Sequence, residues 1–169
     1  MSKRALHTCL IACAAVALAG AAAPAWAAGL RAPLTREQYR VLITRAVSDF
    51  AAATMRFQAV TTSTPPVQGA ARLRALQLQM YAVARRIFDL DAPPRIKPVN
   101  DRLGRYIHAT GSAFTTAITA GRRGDRAGFI RGLRRFLAAL QGRLGQTTQA
   151  IGDQIDRYLA EPVPGVPSD

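Results

Sequence analysis

Apolar residues recur at steps of three and four along four separate stretches of the chain, and this spacing constrains the fold more than any other feature. Residues spaced in this way share one face of an α-helix, so each stretch predicts an amphipathic helix. No stretch has the sustained period-two alternation, rich in Val, Ile and Thr, that is typical of half-buried strands. The sequence therefore predicts an all-α domain over residues 29–160, folded as an antiparallel up-down four-helix bundle. The four apolar stripes begin at Tyr39, Leu73, Val99 and Ile130.

Capping and turn residues predict where these helices begin and end. Thr35 is a natural N-cap for the first helix, and Gln38 is its capping-box partner. The prolines of Pro93-Pro94 stop the second helix, and the third helix closes at Gly121. Asp125 is the expected N-cap of the fourth helix.

The fourth helix is longer than its partners. Its apolar stripe includes Leu133, Leu137 and Leu140. If it ran straight to Ala160, it would be about 50 Å long at 1.5 Å per residue. We therefore expect either a bend near Gly142-Arg143-Leu144-Gly145 or an end that overhangs the bundle.

Residues 1–28 have the organisation of an export signal. Lys3 and Arg4 form a short positive segment, an apolar run follows, and Ala25-Trp26-Ala27 supplies the small-x-small cleavage pattern. Because the apolar run is shorter than the ~20 residues that cross a bilayer, we expect cleavage after Ala27 or Ala28. The mature protein would then be periplasmic or fully secreted, and a retained N-terminal anchor is the alternative. At the other end, the proline-rich residues 161–169 predict a flexible tail.

The residue types left after cleavage do not favour catalysis, and no catalytic residue, cofactor or metal is predicted. Both cysteines, Cys9 and Cys13, leave with the signal, and His108 is the one histidine that stays. A metal site needs several His, Cys or clustered carboxylates. No haem-attachment, nucleophile-elbow or phosphate-loop motif is present. His108 lies beside the apolar stripe of its helix, so we expect it to be solvated and not a general base.

Arginine is the feature most suggestive of function. The chain has 23 Lys+Arg against 10 Asp+Glu, a net charge of +13, and loss of Lys3 and Arg4 with the signal lowers it to +11. Seven arginines lie from Arg122 to Arg143 beside a single acid, Asp125. The predicted anion-binding residues are Arg131, Arg134, Arg135 and Arg143.

Glycines and arginines together suggest which partners this helix would meet. Gly128, Gly132 and Gly142 are expected on the same outer arc as the arginines, where they would form a flat strip bordered by guanidinium groups. Anionic lipid headgroups or acidic envelope polymers are the expected partners. Nucleic acid is not, because the chain is exported and no aromatic residues interleave the arginines. A solvated basic face that reflects arginine-rich codon usage is the alternative.

Three short motifs resemble small uncharacterised exported helical proteins common in high-GC bacteria. They are the helix start from Leu34-Thr35 to Tyr39, the Pro93-Pro94 pair after a helix, and Gly124-Asp125-Arg126 at the start of the last helix. The similarity spans most of residues 33–160. The resemblance implies a helical bundle that is located outside the cytoplasm, and it implies no particular activity.

These observations leave three functional hypotheses. The first is an exported, non-catalytic helical bundle that serves as a binding or structural component of the cell envelope. The second is a helical enzyme in which arginines from two helices clamp a small anionic substrate, which requires a buried pocket lined by two or more arginines. The third is a homodimer in which Gly128-x-x-x-Gly132 seats a helix of a second copy.

Overall fold

A computed structural model describes residues 32–161 of the chain, apart from the side chains of residues 143 and 144. The predicted signal peptide, residues 1–28, lies outside the described residues. The same is true of residues 162–169 of the predicted tail.

The described part of the chain consists of α-helices joined by short turns, and no β-strand occurs within it. This confirms the predicted all-α class. None of its helices is long and apolar enough to cross a membrane. The helices are α1 (Arg36–Phe57), α2 (Pro66–Phe88), α3 (Lys97–Ser112), α4 (Thr115–Arg122), α5 (Arg126–Ala139) and α6 (Gly145–Ala160), with a π-helical turn, Leu140–Leu144, between α5 and α6.

Two predicted helix starts are confirmed by their hydrogen bonds. The Thr35 hydroxyl accepts from the Gln38 backbone N–H at 3.2 Å, and the Thr35 N–H donates to the Gln38 side-chain oxygen at 2.9 Å. Asp125 Oδ1 accepts from the backbone N–H of Gly128 at 2.8 Å. Both caps satisfy N–H groups that the first turn of a helix leaves unpaired.

The turn between α4 and α5 depends on Gly124, and not on Gly121 as predicted. Gly124 has φ of +71°, a left-handed conformation that glycine adopts at little cost. Its N–H donates to the Gly121 carbonyl, and the Asp125 N–H donates to the Ala120 carbonyl, both at 3.0 Å. These two bonds form a Schellman motif. Gly121 instead lies buried within α4. The two hydrogen bonds make the turn tight and place Asp125 directly at the start of α5.

The third predicted helix is broken into α3 and α4 by a buried amide. The Gln77 side chain of α2 is 3% exposed, and its Nε2 donates to the Gly111 carbonyl at 3.0 Å and to the Thr115 hydroxyl at 3.1 Å. The Phe114 N–H also turns back to the Gly111 carbonyl, at 3.2 Å. A side chain inserted into the backbone ladder is an established cause of a helix break.

The fourth predicted helix bends where the sequence placed a bend. Gly142 has φ of −96° and ψ of −127°, which is not helical, and it lies in the π-helical turn between α5 and α6. The alternative, a straight helix that overhangs the bundle, is wrong.

Helix α2 lies at the centre of the packing. It contacts α1, α3, α4 and α5, while α6 packs against α3. The predicted stripes of α1 to α4 supply most of the buried side chains, although Leu42 is exposed. Three aromatic rings from α1, the α3–α4 break and α5 meet in the core, with centroids 4.3 to 5.6 Å apart: Phe57, Phe114 and Phe136.

Helix α5 is rotated relative to its predicted orientation. Phe129, Leu133 and Phe136 face the core at no more than 2% exposure, whereas Leu137 is exposed and Ile130 is half-buried. The cause is the fit of the Phe129 ring, which lies so close to Gly69 of α2 that a Cβ there would come within 2.3 Å of it. An aromatic ring buries more apolar area than a leucine, so it takes the inward position.

This rotation also overturns the predicted glycine strip. Gly128 and Gly132 are buried against α4, and a Cβ on Gly132 would lie 2.7 Å from both the backbone N and the Cα of Ala117. The two glycines therefore allow α5 to approach α4 closely within one chain. They form no outer strip and offer no surface on which a second copy could seat a helix.

Candidate anion-binding surfaces

The first candidate surface is the outer side of α5, opposite its buried aromatic residues. Arg131, Arg134 and Arg135 are exposed and, at 100° per residue, fall within one arc of the helix. We call these three residues the basic face. At the turn before α5, Arg122, Arg123 and Arg126 are also exposed. The structure thus places three of the four predicted anion-binding residues together, whereas the side chain of Arg143 is not among those described.

No carboxylate in the described part of the chain pairs with the arginines of the basic face. Within residues 32–161, none of its three arginines forms an ion pair, although six ion pairs are found elsewhere in that range. The acid closest in sequence is Asp125, whose carboxylate is engaged as the N-cap of α5. A carboxylate in that position is stabilised by the helix dipole and the N–H groups it accepts. No carboxylate of the described residues therefore competes with an external anion for these guanidinium groups.

A second cluster of arginines lies at the other end of the α5–α6 segment. Glu161, which follows α6 directly, receives two hydrogen bonds from the Arg95 guanidinium, one to each carboxylate oxygen, with the Nη2–Oε1 distance at 2.9 Å. Arg36 Nη2 lies 3.8 Å from the same carboxylate, and Arg36 Nη1 donates to the Glu161 backbone carbonyl. The start of α1 and the loop before α3 therefore hold the end of α6 through one carboxylate.

Arg36 is the more buried of the two arginines. Its side chain is 19% exposed, against 71% for Arg95. The guanidinium carbon lies 5.0 Å from the ring centroid of Tyr158, within cation–π range. Arg40, one turn further along α1, donates to the Leu159 carbonyl at 2.8 Å. These contacts satisfy carbonyls at the end of α6 that the helix itself leaves unpaired.

A solvent-open groove of about 440 Å³ adjoins this cluster. Its polar lining consists of Arg95, Gln154, Arg157 and Glu161, and its apolar lining of Ile96, Val99 and Tyr158. The enzyme hypothesis requires a buried pocket with two or more arginines. The groove has the arginines, yet it is open to solvent, so it is suited to binding an anion rather than to excluding water around a reaction.

Every buried polar side-chain atom in the described core has a hydrogen-bond partner. Asn100 is fully buried between α1 and α2, where its Nδ2 donates to the Ile87 carbonyl at 2.8 Å. The hydroxyl of Tyr39 lies 3.4 Å from Asn100 Oδ1, a long and weak hydrogen bond. Burial, and then the neighbouring Tyr158, raise the pKa of the Tyr39 hydroxyl above its ordinary value. Tyr39 therefore remains neutral and is a structural donor, not a base.

His108 lies on the exposed side of α3, as the sequence predicts. Its ring stacks on that of Tyr81, with centroids 4.6 Å apart and planes 19° from parallel. No group of three or more metal-ligating side chains occurs among residues 32–161. Comparison with protein-family models, with curated proteins and with solved structures finds no match to this chain.

Sequence reasoning found the basic face and missed the arginine cluster. It assigned Glu161 to the tail and gave Arg36 and Arg95 no role. A usable signal was present, because Glu37 and Glu161 are the only glutamates in the sequence. An antiparallel bundle also brings the start of its first helix beside the end of its fourth, which would have paired Arg36 with Glu161.

Proposed function

We propose that this protein is an exported, non-catalytic helical bundle that attaches to an anionic lipid surface of the cell envelope through its basic face. The observation that carries the proposal is the set of three exposed arginines on α5 that form no ion pair among residues 32–161, while the Asp125 carboxylate is engaged in a helix cap. Acidic envelope polymers offer the same charge and are the competing partner class.

The basic face and the turn before α5 together carry enough charge for weak, reversible attachment to an anionic membrane surface. A Lys or Arg near an anionic surface contributes about 1 kcal/mol. Three such residues therefore contribute about 3 kcal/mol, or roughly a hundredfold in affinity. The three arginines of the turn before α5 add to this attraction. Because exposed charges are screened over a Debye length of about 8 Å at physiological salt, attachment must weaken as salt is added.

We further propose that the helices form an up-and-down four-helix bundle in which α3 with α4, and α5 with α6, each count as one bent helix. Contacts at both ends of α1 support this arrangement. Arg36 at its start meets Glu161 after α6, and Phe57 at its end meets Phe136 of α5. Helix α1 therefore runs antiparallel to the bent α5–α6 helix.

Vesicle binding tests the proposed attachment. The mature chain is titrated with phosphatidylglycerol vesicles and with neutral phosphatidylcholine vesicles, at low and high salt. We expect binding to the anionic vesicles only, and loss of that binding at high salt. Equal affinity for both lipids contradicts the proposal. Binding to soluble polyglutamate, but not to anionic vesicles, would assign the basic face to acidic polymers instead.

A matched pair of triple variants separates the basic face from net charge. Replacing Arg131, Arg134 and Arg135 with Gln should weaken vesicle binding about a hundredfold. The control replaces three other exposed arginines that form no ion pair within the described part of the chain: Arg45, Arg102 and Arg105. Both variants lose the same charge, so equal loss of binding would show that overall charge, and not this face, is responsible.

Export has its own test. If residues 1–28 are a cleaved signal, the protein recovered from the extracytoplasmic fraction begins at Ala28 or Gly29. Recovery of a chain that starts at Met1 and stays with the membrane would favour the retained anchor instead.

A further inference from the structure

The carboxylate of Glu161 is held in the way that proteins hold carboxylate ligands. The Arg95 guanidinium donates from two nitrogens to the two oxygens, while Arg36 approaches from a different element. Paired N–H donors on a planar guanidinium match the spacing of carboxylate oxygens, and such bidentate contacts are stronger than single ones. The side chain that fills the site comes from the last residue before the proline-rich segment.

Arg36 is prepared for this role before any carboxylate arrives. The Tyr158 ring and the Glu161 backbone carbonyl both hold its guanidinium, and neither contact uses the Glu161 side chain. An arginine that is already oriented loses less conformational entropy when an anion binds. Removal of the Glu161 carboxylate would therefore leave the Arg36 guanidinium held by these two contacts, next to the more exposed guanidinium of Arg95.

The adjoining groove extends this site beyond Glu161. Arg157 donates its Nε to the Asp153 carbonyl at 3.0 Å, which leaves both terminal nitrogens of its guanidinium without a partner among the described residues. Gln154 likewise has no hydrogen-bond partner in that part of the chain and lines the groove beside Arg157. A second anionic group could be bound there, while the 440 Å³ of the groove is enough for a small molecule.

We propose that Arg36 and Arg95 form a carboxylate-binding site that Glu161 occupies from within the chain, and that a small dicarboxylate displaces it. One carboxylate of the ligand takes the place of the Glu161 side chain, and the other binds at Arg157 and Gln154. This site lies at the opposite end of the α5–α6 segment from the basic face and does not depend on the proposed membrane attachment. Glu161 competes with the ligand, so the site is weak until that carboxylate moves away.

Calorimetric titration of the full chain with succinate tests the proposal. Glu161→Ala removes the competing carboxylate, and we expect it to bind succinate at least tenfold more tightly than the unaltered chain. Glu37→Ala is the matched control, because Glu37 also pairs with an arginine of α1, Arg40 at 3.6 Å, and its loss changes the net charge equally. Adding Arg95→Gln to Glu161→Ala should abolish the gain. Equal gains in the Glu161 and Glu37 variants would overturn the proposal.

Titrations with two other ligands define the chemistry that the site recognises. Succinamide, which has the same shape without charge, should not bind, and inorganic phosphate should bind at least tenfold more weakly than succinate. A preference for phosphate would overturn the assignment to carboxylates. If Glu161→Ala only lowers the melting temperature, and succinate does not restore it, then Glu161 is a structural latch and the proposal fails.

The unaltered chain supplies a measurement that does not depend on any variant folding. Succinate at high concentration should shift the NMR resonances of the Tyr158 ring, which lies beside Arg36. It should leave those of Tyr81, which stacks on His108 of α3, unchanged. Equal shifts at both rings, or none at Tyr158, would contradict the proposed site.

Discussion

Replacing Gly132 with alanine tests the packing of α5 most directly. The sequence pattern placed Gly132 on the exposed side of its helix, where Gly→Ala stabilises a protein by about 0.5–1 kcal/mol. In the structure Gly132 is buried against α4, and the added Cβ would lie 2.7 Å from the backbone N and Cα of Ala117. The two placements therefore predict changes of opposite sign in the free energy of unfolding for Gly132→Ala.

The expected magnitude follows from the atoms that the new methyl group meets. The neighbours at 2.7 Å are backbone atoms, which cannot rotate away as a side chain can, so α5 and α4 must separate. Overpacking of this kind costs about 1–3 kcal/mol. The gain in helix propensity offsets about 1 kcal/mol of that cost. We expect Gly132→Ala to lower the free energy of unfolding by up to about 2 kcal/mol, which corresponds to a fall of up to several degrees in melting temperature.

The assay is urea unfolding of the two proteins followed by far-UV circular dichroism. Gly152→Ala is the control, because a Cβ at Gly152 of α6 would contact nothing within 4 Å beyond its chain neighbours and the backbone of its own helix. This variant should be more stable than the unaltered chain by about 0.5–1 kcal/mol. If Gly132→Ala is as stable as Gly152→Ala, then α5 does not pack closely on α4, and its arginines do not share the outward face described above.

Three further substitutions test other parts of the fold by the same unfolding assay. Asp125→Ala removes the hydrogen bond to the Gly128 N–H and should cost about 1 kcal/mol. Asn100→Ala removes the side-chain donor of the buried Ile87 carbonyl and the acceptor of the buried Tyr39 hydroxyl, and should cost about 1–3 kcal/mol. Tyr39→Phe should lessen the loss of stability in alkali. Because the raised pKa keeps folded Tyr39 protonated while the unfolded chain ionises near its ordinary value of about 10, stability falls as pH rises above about 10.

Each of these results can contradict its argument. Unchanged stability of Asp125→Ala would mean that the carboxylate does not cap α5 in the unaltered chain. It could then neutralise the nearby arginines, which would weaken the case for membrane attachment. Unchanged stability of Asn100→Ala would mean that water replaces the amide. An identical alkaline profile for Tyr39→Phe and the unaltered chain would mean that Tyr39 ionises as readily in the folded state as in the unfolded one.

Helix content and helix starts could be predicted because they depend on neighbouring residues. The capping box of Thr35 and Gln38 and the Asp125 cap involve groups three residues apart. The length of the fourth helix predicted either a bend or an overhang, and the segment Gly142-Arg143-Leu144-Gly145 marked where a bend would fall. The break between α3 and α4 could not be predicted, because Gln77 of α2 causes it from 34 residues away.

The two candidate surfaces also differ in how far the local sequence predicts them. The density of arginine between Arg122 and Arg143 is visible in the chain, and the exposure of Arg131, Arg134 and Arg135 agrees with it. The pairing of Arg36 and Arg95 with Glu161 depends on how the helices are arranged and not on local sequence, because it joins residues 125 and 66 positions apart.

Local sequence therefore determined that this chain is helical, where two of its helices start, and that its charge concentrates near α5. Only the tertiary structure decided which side of α5 is buried and where the end of α6 is held. Helix formation depends on hydrogen bonds four residues apart and on an apolar stripe. The rotation of a helix about its axis depends instead on which shapes fit across the interface. In this protein the Phe129 ring against Gly69, and Gly132 against Ala117, outweighed a leucine stripe that on spacing alone was an equally good inward face.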